Sequence, residues 1–163
     1  MRWATGSRLT AKVMLTSVIG CRARAEEWNE ALNGLDLYSG GSDFTQSEQD
    51  NQQWNIVRAV AKSQQTIRVD KEKLMRVVRQ IQYDLAWEEH ISPVDMGLIY
   101  EKCASPWEAV SYYERYIHER WAQEGWLRVK SAHRDLYKQR RDVENAERID
   151  EEIRRHKTTW GFE

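Results

Sequence analysis

Proline is nearly absent from this chain of 163 residues: only Pro93 and Pro106 occur, beside eight glycines. So few chain breakers leave long stretches free to coil, and the β-branched residues fall in helical rather than alternating patterns, which argues against a sheet. Cysteine is equally scarce. Cys21 and Cys103 lie far apart and form no CxxC pair, which excludes a disulfide framework and a zinc site of the usual spacing. No apolar run approaches the roughly 20 residues that cross a bilayer as a helix, so work at a membrane would be done from its side. The formal net charge is only −1, leaving no overall field to hold a phosphate backbone; nucleic acid is not the expected partner. A glycine-rich phosphate loop and a GxSxG elbow are missing too. His90, His118, His133 and His156 never stand four apart, and His118-Glu119 lacks the second histidine of a zinc-protease motif because Ala122 stands there. The expectation is therefore a non-enzyme with no catalytic, cofactor-binding or metal-ligating set.

What the chain does have is tryptophan, eight residues of it, together with 31% charged residues of both signs. Tryptophan is expensive to leave in water and is favoured at interfaces, so this count points to a subunit of something larger. The fold expected is all-α and extended: a basic N-terminal arm, a small helical body and one long C-terminal helix. Residues 1–25 hold Arg2, Arg8, Lys12, Arg22 and Arg24 with no acidic residue, interleaved with Leu9, Val13, Met14, Val18 and Ile19. That is the signature of an organelle transit segment, or of a basic amphipathic helix that docks on a partner. The arm is expected over 1–33, stopped by Gly34, with a Gly/Ser-rich linker over 34–44.

The body, 45–104, has three marked helix starts. Thr45-Gln46-Ser47-Glu48 reads as a capping box, Asp70 as an N-cap, and Ser92-Pro93-Val94-Asp95 as a restart with proline in the first turn. Leu74, Val77, Val78, Ile81 and Leu85 lay an apolar stripe on the helix after Asp70. Ser105-Pro106-Trp107-Glu108 repeats the starting grammar, and no later proline interrupts it, so one helix is expected over 105–157. Unbroken, it would reach roughly 75 Å at about 1.5 Å per residue. Its stripe runs through Val110, Tyr113, Ile117, Trp121, Val129, Ala132, Leu136, Val143, Ala146 and Ile153, with Trp107, Tyr112, Tyr116 and Trp126 off it. Gly125 marks either a kink or a close approach. An aromatic tail over 158–163, with Trp160, is expected to anchor in a groove. The residues expected to bind partners are Trp107, Tyr113, Ile117, Trp121, Trp126 and Trp160, with Arg2, Arg8 and Lys12 of the arm.

Around the start of that helix, Pro106, Val110, Glu114, Glu119, Arg120, Trp121 and Gln123 follow without a gap a pattern that resembles the PDSW accessory-subunit family of mitochondrial respiratory complex I. The chain departs from that family downstream, where nothing from Arg128 to Glu163 is cysteine, so no disulfide carries over. A shorter segment, Trp54-Asn55-Ile56-Val57-Arg58-Ala59, is similar to part of the small matrix-side helical subunit of the cytochrome bc complex. The resemblance implies a non-catalytic accessory subunit of a mitochondrial inner-membrane respiratory assembly, peripheral to the membrane and bound to other subunits. Two other classes fit the same residues. One is another mitochondrial assembly, the cytochrome bc complex, ATP synthase or a ribosome, the last held through Arg2, Arg8, Lys12, Arg22, Arg24 and Lys138-Gln139-Arg140-Arg141. The other is a soluble coiled-coil adaptor.

Overall fold

The helix starts marked in the sequence are where helices begin. In the computed structural model, which describes residues 14–16, 19, 28–39, 45–63, 70–84 and 86–162, Glu48 donates its backbone N–H to Thr45 Oγ1 at 3.3 Å while its carboxylate takes the Thr45 N–H at 2.9 Å. Ser105 and Glu108 repeat the exchange at 3.3 and 3.1 Å. Asp70 Oδ1 accepts from Lys73 N at 3.0 Å, and Ser92 Oγ accepts from Asp95 N at 3.1 Å. Each such cap is worth about 1 kcal/mol because it satisfies a donor that has no partner inside the helix. The elements are α1 (Trp28–Ser39), α2 (Gln46–Lys62), α3 (Lys71–Gln82), a 3-10 turn at Trp87–Glu89, α4 (Pro93–Cys103), α5 (Pro106–Glu114), α6 (Arg120–Gln139) and α7 (Val143–Trp160). The fold is all-α, with no strand among the described residues.

The chain forms two compact units, Met1–Met96 and Gly97–Glu163, and α4 runs across the boundary. In the first, α1 packs on α2 and α2 on α3. Its core holds Leu32, Ile56, Val57, Val60, Leu74, Val78 and Ile91, each 1% exposed or less. Leu74, Val77, Val78 and Ile81 of the stripe expected after Asp70 form this core's α3 wall, while Leu85 lies outside the described residues. Lys73 ties α3 back to α1, reaching Asn33 at 2.9 Å and Asp36 at 2.5 Å, and Asp70 N donates to Asn29 Oδ1 at 2.8 Å. Gly34 does not stop α1, which continues to Ser39 through the first part of the expected linker. The glycine is there for proximity: a Cβ at position 34 would sit 2.8 Å from Ile19 Cγ1. The rest of that linker, and the arm residues Arg2, Arg8 and Lys12, lie outside the described residues.

In the second unit the single long helix expected over 105–157 is three helices. α5 ends at Glu114, where Arg115, Tyr116 and Glu119 make turn-type bonds back to Tyr112, Tyr113 and Tyr116, and Glu119 is extended. α6 ends at Gln139, with Arg141 in the left-handed region at φ 60°. There Asp142 N bonds to Tyr137 O and Arg141 N to Lys138 O, the paired closing bonds of a Schellman turn. Asp142 then caps α7 through Asn145 N at 3.2 Å. The physical reason is burial: folding the apolar stripe back on itself covers it within the unit, whereas a straight rod would leave all of it in water. The described part of the expected tail is likewise absorbed, with Thr158, Thr159 and Trp160 completing α7 and Gly161 (φ 67°) closing it in a left-handed turn, Phe162 N bonding to Lys157 O at 2.9 Å; Glu163 lies outside the described residues.

Candidate functional site

In the second unit, the capping box fixes the first turn of α5 and with it the backbone from which Trp107 projects, 75% exposed and the most exposed tryptophan among the described residues. Beside it lies a groove of about 250 Å³ lined by Tyr100, Trp107, Glu108, Ser111, Tyr112 and Arg115. Its floor is stiff. Tyr100 stacks on Tyr112 with centroids 4.7 Å apart, Tyr112 leans on Tyr116 at 5.4 Å, and Tyr116 meets Trp121 at 5.4 Å. An exposed indole on a rigid, aromatic-backed platform with one arginine and one glutamate at its rim suits the docking of another protein surface.

Behind this platform the Tyr113 hydroxyl donates to Glu101, and Glu101 takes Arg128 in a two-pronged pair, Nη2 to Oε1 at 2.7 Å and Nε to Oε2 at 3.2 Å. Burial, and then the neighbouring Glu101 carboxylate, push the Tyr113 hydroxyl far above its usual range, so it stays a donor at every pH a cell reaches. A cleft of about 320 Å³ opens beside the pair, lined by Ala104, Ala109, Val129, Ala132, Leu136 and His133 among others. Its carboxylate is fully engaged by Arg128 and Tyr113, and burial followed by Lys130 holds His133 below its ordinary value. What the geometry offers there is a braced joint between α4, α5 and α6.

At the far end of α7, His156 lies flat on Trp126, centroids 4.2 Å apart and planes 6° from parallel, with Phe162 at 6.0 Å and Trp160 at 6.4 Å. Arg120 covers Phe162 at 3.6 Å. Burial depresses the His156 pKa, and its Nε2 is the one buried side-chain polar atom without a partner among the described residues.

The structure thus separates the expected partner-binding residues. Tyr113 (1% exposed) and Trp126 (7%) are core residues of their own unit, which corrects their reading as anchors. Ile117, Trp121 and Trp160 are half-buried, and of the described members of the set only Trp107 stands in solvent; Arg2, Arg8 and Lys12 lie outside the described residues. Tyr113 and Trp126 are hidden because the break at Arg115–Glu119 turns α5 back against α6, a fold that no glycine or proline announces. Leu37 at 70% and Tyr83 at 86% are further exposed apolar side chains, and no sequence pattern singles them out. Nothing in periodicity could mark Tyr83, because it follows the last turn of α3 and belongs to no stripe. No protein family, curated protein or solved structure matches this chain.

Proposed function

We propose that this chain is a non-catalytic, all-helical accessory subunit that docks on a neighbouring protein through the Trp107 groove. The observation that carries the reading is the exposure of Trp107 on a capped, aromatic-braced helix, a surface whose burial has no counterpart within its unit. The segment Pro106 to Gln123 supports placing it in a respiratory assembly of the mitochondrial inner membrane, with complex I as the host, since the residues of the resemblance flank the groove and include Trp121 of its aromatic floor. No described helix is long and apolar enough to cross a membrane, so attachment would run through protein contacts. Trp160, Ile117 and Trp121, half-buried in the same unit, are the residues that could widen the contact.

Native-gel migration of the tagged chain from detergent-solubilised mitochondria, with activity stains for each respiratory complex, tests this. Co-migration with the NADH-oxidising band is the expected result. Co-migration with another activity moves the subunit to a different host. Migration as a small species at low salt overturns the reading.

A further inference from the structure

The first unit carries a second pocket that the docking reading does not use. It measures about 290 Å³ and is lined by Asp50, Gln53, Trp54, Gln80, Tyr83 and Asp84, with Gln46 and Ile81 completing the wall. Gln53 is only 4% exposed, yet its side-chain amide has no hydrogen-bond partner among the described residues. It is also not sealed, since the one fully enclosed polar atom lacking a partner is His156 Nε2; the Gln53 amide therefore opens to the pocket it lines. An amide that finds no protein partner and reaches solvent only through a narrow opening is completed by what enters that opening, water or a ligand group.

The other lining groups say what that something is. Asp50 and Asp84 bring two carboxylates, and no lysine or arginine lines the pocket. Asp50 Oδ1 accepts from Gln46 Nε2 at 2.7 Å and Asp84 Oδ1 from Ala86 N at 3.0 Å, so each carboxylate is oriented while its second oxygen is left for a further donor. Trp54 is fixed by its stack on His90, centroids 3.6 Å apart, and Tyr83 stands 86% exposed at the rim. Acceptors on two sides, a buried amide and aromatic faces match a planar cation carrying several N–H donors on an apolar stem. A metal ion is a poorer fit, because no three carboxylate, imidazole or thiolate groups converge among the described residues. The volume falls at or just below the small end of the range for ligand pockets, roughly 300–1,000 Å³, which suits a side-chain-sized group rather than a nucleotide cofactor.

We propose that this pocket binds a guanidinium group, carried either by an arginine side chain of a partner protein or by a free alkyl guanidine. Gln53 and the two aspartates accept its hydrogen bonds, and Trp54 and Tyr83 flank its plane.

The test is a titration of the full-length, nitrogen-15-labelled chain followed by NMR. Two probes are added separately: agmatine, and a Gly-Arg-Gly tripeptide blocked at both ends. Either probe should move the Gln53 side-chain amide and the Trp54 indole N–H signals to saturation. Asp84→Asn and Asp50→Asn keep the Oδ1 acceptors used by Ala86 and Gln46, so the fold is expected to hold, and each should weaken binding roughly tenfold by removing a charge-assisted bond. Gln53→Leu should weaken it as well. Tighter binding of the tripeptide assigns the site to a partner's arginine, whereas equal or tighter binding of agmatine assigns it to a free guanidine. Absence of saturable shifts with both probes, or shifts of the same size in all three variants, overturns the proposal. Because the site lies in the unit that does not hold Trp107, neither outcome depends on the docking reading.

Discussion

Gly125 of α6 lies against the ring of Tyr113 of α5, so close that a Cβ at position 125 would overlap the ring; at Gly97, on the same ring, the Cβ would come within 2.8 Å of Cε1. Gly125 is therefore a close approach and not a kink. Gly125→Ala must push the Tyr113 ring off its seat and disturb its bond to Glu101, so it should destabilise the chain by about 1–3 kcal/mol despite the better helix propensity of alanine. Urea unfolding of the two proteins measures this. A variant as stable as the parent would mean that the ring has room to move.

Arg141 holds a left-handed conformation with no side-chain reason visible for it. A non-glycine residue there is worse off by roughly 1–2 kcal/mol, partly offset in a glycine by the larger entropy it loses on folding. Arg141→Gly should thus raise stability by about 0.5–1 kcal/mol and leave the helix content unchanged. A lower melting temperature for this variant would count against the turn described between α6 and α7.

His156 gives a pH dependence whose sign follows from burial. Its pKa in the folded chain is depressed from an ordinary value of 6.5, so as pH falls through that value the unfolded chain takes up a proton that the folded chain refuses. The stability contributed by the neutral ring is fully present above the unfolded value and declines as pH drops below it. His133 acts in the same direction through burial and Lys130. Thermal unfolding should show a falling midpoint between about pH 7 and pH 5. His156→Phe, which keeps a ring on Trp126, should flatten part of that slope, the remainder belonging to His133. An unchanged slope in the variant would show that His156 titrates normally.

Trp107 and Trp126 separate docking from folding. Trp107→Ala removes an exposed ring and should alter stability by less than about 0.5 kcal/mol, while co-migration with a large assembly is lost. Trp126→Ala empties the seat of His156 and should cost about 3–5 kcal/mol whether or not a partner is present. Melting curves and native gels run on both variants distinguish the two roles; a destabilised Trp107 variant would mean the ring is structural.

The local grammar of this fold was legible. Thr45, Asp70, Ser92 and Ser105 announce their helices because a cap needs only a side-chain oxygen and the few residues after it, and α3 is legible because its whole buried face repeats at helical spacing. The turns of the C-terminal half were not. Arg141 in a left-handed turn and the extended Glu119 run against residue preference, and only the burial gained by folding the stripe back selects them. Gly34 misled for a related reason: a glycine placed for contact with Ile19 reads, in one dimension, the same as one placed to end a helix. Of the candidate site, Trp107 was visible as an aromatic beside a cap. Its separation from Tyr113 and Trp126, and the pocket around Gln53, depend on how successive helices pack on one another, α5 on α6 and α2 on α3, which no local pattern records.

Across the α6–α7 turn, Lys130 meets Glu152 at 2.5 Å, and Arg134 and Lys138 both meet Asp150 at 3.1 Å. Every cation in this ladder comes from α6 and every anion from α7. Each exposed pair is weak by itself because water and salt screen it, yet together they act as a pairing code. Two α6 helices brought side by side would oppose like charges, and so would two α7 helices. The only lattice of contacts that satisfies the code joins α6 to α7, within one copy or by exchange of α7 between two, and the tight turn at Arg140–Asp142 favours the first. The charges that look like an ordinary wet surface in the sequence therefore set which face of α6 meets which face of α7.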